Sequence, residues 1–536
     1  MARTAKAKPN PLTPAADAAG PADAADPTGS PKVYVRMYRA LGAAANGPAG
    51  MLGDCFLIRI VGEVDGAAVT SHILIDCGML LGSVDAVTRM QAIADDIVKQ
   101  TGGTATTPGV LDLLVVTHEH WDHISGFSQA EETLLNKQRL QVANLWMGWT
   151  EKDGDPQVDR LRARFDRAGF AVAALVERIE APGAALAAAD KTGSLRSLKG
   201  FLGAAEPKKK RLGGREVMAA IKRHADRCSF LEPGTVLPTP TARDRGPSLR
   251  AYVLGPPRDE KRLFKDKPSS GDQQETYIDE GGKLSDMLFR VAASGEPSVA
   301  GSGPFEAHYN SIDASEVEDK ARKGTHQRGD AGWIAARYFA AAGLGQTRAQ
   351  SIERRRIDDD WLGAADSLAL KLDSDTNNTS LALAFDLPDG TSMVFAADAQ
   401  VGNWESWHDQ FYTDETGKVH TAEQILNRTR FYKVGHHGSH NATARGNGLE
   451  MMTRDDLVAA IPTDEEFGKR QGAGGWQMPN PRVNKALIDR TKGRILRNDR
   501  RYDRASRTSD PELKLVAPGF FDRLTEDVLF LEYRVI

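Results

Sequence analysis

A chain of 536 residues, 40% hydrophobic and 26% charged, carries enough apolar material for more than one core, or for one large core with insertions. A net charge of −4 and a pI near 6.3 exclude a chain-wide nucleic-acid footprint, so any phosphate binding must come from local patches. Cys55, Cys77 and Cys228 lack zinc-finger spacing and argue against a disulfide framework and for a reducing, cytoplasmic setting; no apolar run of ~18 residues marks a membrane span, and Met1–Lys6 is followed by no apolar signal region.

Residues 1–31 are Ala, Pro, Asp and Gly with almost no large apolar side chain, and read as a disordered tail. Order is expected from Val33 to Tyr38, a strand by alternation. Strands Cys55–Val61 and Ser71–Gly78 follow as a meander, then a helix over 85–100. Leu113–Val116 is a buried strand, residues 128–138 read as a helix, and Leu145–Trp149 as another strand. An insert at about 151–240 reads as mostly helical, and its run Lys208–Arg211 as a solvated loop. Leu249–Leu254 is a short buried strand, and about 258–356 is a polar insert, with helical character at 332–342 and again at 357–373. Strands resume at Ser380–Phe385 and Met393–Ala397 across a Pro-Asp-Gly hairpin signal, with Asp398 at the second tip. Helices are expected near Trp404 and Thr421, a strand at Phe431–Val434, two βα-like units, and a closing strand Val528–Tyr533. The basic stretch Lys492, Arg494, Arg497, Arg500, Arg501, Arg504, Arg507 is interrupted by Asp499 and Asp503 and reads as a self-paired surface.

The chemistry concentrates in Thr117-His118-Glu119-His120-Trp121-Asp122-His123, directly behind the apolar strand. His118 and His120, two apart, point to one side of an extended chain, and Asp122 and His123 are expected on the loop that curls back. Imidazole with carboxylate suits zinc, manganese or iron, and several protein ligands with an open position is the catalytic pattern. Three strand tips end in metal-capable residues: the His118 cluster, Asp398, and the pair His436/His437. Strands sharing a sheet bring their ends together, so distant segments can make one site. Asp76, in an Asp-x-Gly corner, is placed to brace the metal loop from behind.

The ordered set Asp76, His-x-His-x-Asp-His, Asp398 and the final His motif resembles the metallo-β-lactamase fold superfamily. Gly53-Asp54-Cys55-Phe56-Leu57, Asn377-Asn378-Thr379-Ser380-Leu381 and Lys433-Val434-Gly435-His436-His437-Gly438-Ser439 resemble its ComEC-type branch, the hydrolase domain of competence DNA-uptake proteins and related hydrolases. The resemblance covers about 33–150, 245–257 and 377–445. It implies a four-layer αββα sandwich of mixed α+β and α/β character with long insertions, spanning 32–536, and two divalent ions, zinc or alternatively manganese. It further implies that His118 and His120 bind the first ion, Asp122 and His123 the second, and that Asp398 bridges. Of the final pair, His437 matches the last ligand better, which leaves His436 at the substrate as hydrogen-bond donor or general acid. Ser439 and His440 stand behind the ligands, as oxyanion donors or as local caps. Two departures stand out: Ala-Ala-Asp replaces the Gly-Asp of many relatives before Asp398, and the usual third imidazole on the first ion has no counterpart. Of His224, His308 and His326, His308 is the nearest stand-in, and a solvent-facing loop histidine is its plainer reading.

The expected function is a metal-dependent hydrolase in which a metal-bridged hydroxide attacks a phosphodiester, with Asp122, Asp398 and His436 at the reacting atoms. The substrate is a small-molecule or nucleic-acid phosphoester. Two alternatives stay open: a lactonase- or amidase-type hydrolase, and a non-catalytic metal-fold protein that binds partners through its inserts.

Overall fold

The computed structural model describes residues 30–39, 51–80, 82–165, 214–242, 246–265, 333, 374–471 and 475–536. They fall almost entirely within one compact unit, 1–164, 193–282 and 370–536; a second unit, 165–192 and 283–369, lies outside the described residues apart from Phe165 and Trp333. Nearly all of the expected tail, Lys208–Arg211, His308, His326, the helix expected over 357–373 and most of the polar insert also lie outside them.

Two large mixed sheets carry the architecture. The first runs, edge to edge, Leu524–Glu526, Phe530–Arg534, Lys32–Tyr38, Cys55–Val64, Ala67–Cys77, Leu113–Val115, Asn144–Gly148, Arg227–Leu231. The second runs Ile495–Arg497, Val458–Ile461, Thr429–Lys433, Ser392–Phe395, Leu383–Asp386, Arg250–Val253, Val236–Pro238. Each combines antiparallel neighbours with a run of parallel ones: Ala67–Cys77 through Arg227–Leu231 in the first, Ser392–Phe395 through Ile495–Arg497 in the second.

The period-2 pattern explains the layers. Val33, Val35, Met37, Phe56, Ile58, Ile60, Ile73 and Ile75 of the first sheet share one buried cluster with Leu383, Phe385, Met393, Phe395 and Phe431 of the second. The intervening residues of the first sheet, Leu57, Leu74 and Leu114, pack with Met90, Ile93 and Ile97 of the helix Ala86–Gln100 and with Ile124 and Phe127 of the helix Trp121–Gln129. On the second sheet Ala384, Val394 and Tyr432 pack with Trp404, Ile425 and Leu487 from helices Val401–Trp407, Ala422–Asn427 and Pro481–Thr491. The central strands of each sheet are thus buried on both faces, and each fully buried large apolar side chain contributes about 1.5–3 kcal/mol. Among the described residues no helix is long and apolar enough to cross a membrane.

Three expectations are corrected. Asp122 and His123 lie not on a loop but in the first turn of a helix that starts at Trp121. Trp121, Ile124 and Phe127, three apart, all reach the outer face of the first sheet, and that burial draws the motif into the helix. The helix expected over 128–138 is replaced by the end of this one at Gln129, the short turn Glu131–Leu134 and the strand Leu140–Val142. The insert read as helical to about 240 has its helix Gly214–His224, but Arg227–Leu231 and Val236–Pro238 are edge strands, one on each sheet. The basic stretch is self-paired in large part: Lys492 meets Asp455, Arg497 meets Asp499 and Glu465, and Arg500 meets Glu512.

Candidate metal centre

Ligands in sheets of this kind gather beyond the carboxyl ends of parallel strands. Here four such ends converge, those of Ala67–Cys77, Leu113–Val115, Ser392–Phe395 and Thr429–Lys433. They deliver Asp76, the segment 117–123, Asp398 and His436/His437. Side-chain ligand atoms of His118, His120 and Asp398 lie within 4.8 Å of one another, and so do those of Asp122, His123, Asp398 and His437. The two groups share Asp398, and all six residues are buried.

The backbone at these tips is held in uncommon conformations. Asp76, Ala397, His436 and His437 all have φ between 43 and 54°, the left-handed region. Non-glycine residues there cost on the order of 1–3 kcal/mol each and cluster where a surrounding structure enforces them. Ala397 occupies the position where relatives were expected to carry glycine, and it adopts that left-handed geometry itself. Gly78 answers a different need: a Cβ on it would lie 2.3 Å from the Asp122 carbonyl carbon, so only glycine lets the helix start approach the strand tip.

Hydrogen bonds orient the imidazoles of His123, His437 and His118. Asp76 accepts from the Thr117 amide (2.8 Å) and hydroxyl (2.7 Å), and its Oδ2 lies 2.8 Å from His123 Nδ1. That bond puts the His123 proton on Nδ1 and leaves Nε2 for a metal. His437 donates through Nδ1 to the Pro462 carbonyl (2.7 Å), while its Nε2 faces Asp122 Oδ2 at 2.8 Å. His118 Nδ1 lies 3.1 Å from Thr117 Oγ1 and 3.3 Å from Ser380 Oγ. Asp398 turns Oδ1 toward the His436 amide (3.2 Å) and Oδ2 toward three Nε2 atoms: His123 at 3.2 Å, His436 at 3.9 Å and His118 at 4.0 Å.

The expected residues are therefore brought together, with exceptions. His436 is buried beside Asp398 but belongs to neither ligand group. Ser439 turns to Asn441 (3.1 Å), a local contact, and His440 is exposed. His224 is a structural histidine against the Leu140 carbonyl. Trp121 packs in the core.

Two residues quoted only as part of motifs belong to the cluster. Asp54, with Asp76 and His123, forms a third group of close ligand atoms. Its carboxylate is ion-paired with the buried ammonium of Lys433. The signal was parity: Lys433 follows Phe431 by two, so both point between the sheets, and Lys433 meets the mouth of that core. Asn403, also unforeseen, carries the carbonyls of Asn378 and Ser380 on its side-chain amide.

Electrostatics follow from burial and crowding. Burial opposes charge on His123, but Asp398, Asp54, Asp122 and Asp76 outweigh it and carry its pKa well above the imidazole range. Burial also opposes charge on His437, and the hydrogen bond to Asp122 and the nearby carboxylates raise it. Burial and the other imidazoles push His118 well below that range, and burial takes His120 and His436 to about 4. Burial alone would raise the Asp398 carboxyl, yet His123, His436 and Lys433 hold it well below the usual value.

The donor set fits divalent cations. Buried His118 Nε2, His123 Nε2, Asp122 Oδ1 and Asp398 Oδ2 have no hydrogen-bond partner among the described residues, an arrangement too costly to leave unsatisfied. Four buried carboxylates, Asp54, Asp76, Asp122 and Asp398, gather here with one ammonium among the described residues, that of Lys433, which meets Asp54 and Asp398. Two divalent cations would turn that deficit into one net positive charge, which leaves room for one anion. The carboxylates that raise the pKa values of His123 and His437 oppose the loss of protons that imidazole ligands must shed when a cation binds.

No protein-family model, curated protein or solved structure matches this chain.

Proposed function

We propose that the chain is a metal-dependent hydrolase of the metallo-β-lactamase type, ComEC-like branch, acting on phosphodiesters. The observation that supports this reading best is the pair of ligand groups joined through Asp398. Bound there, two divalent cations would supply Lewis acidity, acidifying a water toward neutral pH and offsetting charge on a phosphoryl oxygen.

The chain's own residues do the positioning. Asp122 and Asp398 orient the attacking water through carboxylate oxygens that meet no donor among the described residues. Asp76 keeps the His123 proton on Nδ1. His436, with its pKa near 4, is neutral at pH 7, and neighbouring cations would lower it further. It therefore acts as a hydrogen-bond donor to a substrate oxygen rather than as a general acid.

The test is metal analysis of the purified chain coupled to a panel of bis-p-nitrophenyl phosphate, single-stranded and duplex DNA, RNA and a lactone. Metal-dependent cleavage of a phosphodiester is expected. Turnover of the lactone alone would move the assignment to acyl substrates, and a chain that binds no metal would end it.

A further inference from the structure

Lys433 is a buried ammonium inside a prospective metal centre, where a fixed cation works against binding others. Its surroundings explain its presence. The ammonium is ion-paired with Asp54, donates to the Ala397 carbonyl at 3.0 Å and lies 3.5 Å from Asp398 Oδ1. The same Oδ1 accepts from the His436 amide at 3.2 Å. Oδ2 of Asp398 has no hydrogen-bond partner among the described residues and faces the Nε2 atoms of His123, His436 and His118. One oxygen is thus tied back, and the other is presented to imidazoles of both ligand groups.

We propose that Lys433, anchored by Asp54, is a positioning residue that holds Oδ1 of Asp398 back, so that Oδ2 is the oxygen this carboxylate would offer to cations held by the two ligand groups. The inference rests on the dinuclear reading of the site. Asp54 has its own place in the device. Its amide donates to the Asp122 carbonyl (3.0 Å), and its carbonyl accepts from Gly78 (2.9 Å). The anchor is therefore built into the same corner that holds the helix bearing Asp122 and His123. Through Asp54 and Lys433 the first sheet's tip sets the orientation of the second sheet's carboxylate.

Two roles for Lys433 predict opposite results. Were it only a local charge, its removal would tighten cation binding. As a positioning residue, its removal leaves Oδ1 held by the His436 amide alone and would weaken coupling between two bound ions. Lys433→Met alone leaves Asp54 buried without its ammonium, which risks the fold, so the informative variant is Asp54→Asn/Lys433→Met. It removes both charges, leaves the net charge unchanged, and replaces a buried ion pair by neutral groups, an exchange that is often near neutral for stability.

The full-length wild type and this double variant would be titrated with Mn2+, with binding followed by calorimetry and coupling between the ions by electron paramagnetic resonance. Circular dichroism and urea unfolding confirm the fold. Wild type is expected to take up two ions with an exchange-coupled signal. The double variant is expected to bind the weaker ion 10- to 100-fold less tightly, the usual cost of losing an outer partner of a ligand, and to show only uncoupled Mn2+. A coupled signal with affinities within about threefold of wild type would overturn the positioning role while leaving the metal centre standing. A wild type that binds no Mn2+ pair would overturn both.

Discussion

Replacing Asp76 by asparagine changes one atom and tests how the site chooses the ligand atom of His123. The backbone amide of Thr117 can only donate, and it reaches Asp76 Oδ1 at 2.8 Å, so the asparagine oxygen must take that place. The new NH2 group then occupies the Oδ2 position, 2.7 Å from Thr117 Oγ1 and 2.8 Å from His123 Nδ1. The hydroxyl can rotate to accept. The imidazole can accept only by moving its proton to Nε2, the atom that must ligate. Loss of such a partner weakens metal binding by about 10- to 100-fold, or roughly 1.4–2.8 kcal/mol. Competition for Zn2+ against a chromophoric chelator reads this directly, with circular dichroism as the control for folding. Zinc affinity within threefold of wild type would refute the tautomer argument, and with it the role given to Asp76.

His120→Ala and Asp398→Ala should each abolish metal-dependent phosphodiester hydrolysis while the chain stays folded; an active, metal-loaded variant would remove that residue from the centre. Ala397→Gly relieves a left-handed alanine (φ 50°), a gain of about 1–2 kcal/mol partly offset by about 0.5–1 kcal/mol of added chain entropy. Urea unfolding should therefore show a net increase of about 0.5–1 kcal/mol. His72, buried in the strand Ala67–Cys77, has its pKa lowered to about 4 by burial and by Arg59 and Arg36. The unfolded chain, with an ordinary value near 6.5, takes up that proton first, so stability should fall as pH drops from about 6.5 to about 4. A His72→Gln variant should lose less stability over that window in the same urea titration. Arg36 joins the buried carboxylates of Asp96 and Glu532, so Arg36→Met should destabilise by about 3–5 kcal/mol in urea unfolding.

What could be read from the sequence was what is local. The central strands of the two sheets stand out as short apolar runs, and His118 to His123 announce themselves within six residues. The helix start at Trp121 was hidden because polar ligands looked like loop, although Trp121, Ile124 and Phe127 already carried the helical spacing. Arg227–Leu231 was hidden for the opposite reason, since an edge strand with Arg227, Cys228 and Ser229 exposed has no apolar period to show. Asp54 and Lys433 were visible only as motif letters, because the meaning of each is the other, brought together from opposite ends of the chain.

That pairing bears on how the molecule assembles. Asp54, Asp76 and Asp122 belong to the N-terminal segments, whereas Lys433 and Asp398 arrive with the C-terminal ones. A nascent chain that has finished only its first sheet strands holds three acids and no ammonium for them, and it cannot desolvate that corner cheaply. Docking of the strand Thr429–Lys433 brings Asp54 its ammonium, and a slip of one residue in register would turn Lys433 out toward the helices and leave Asp54 without it.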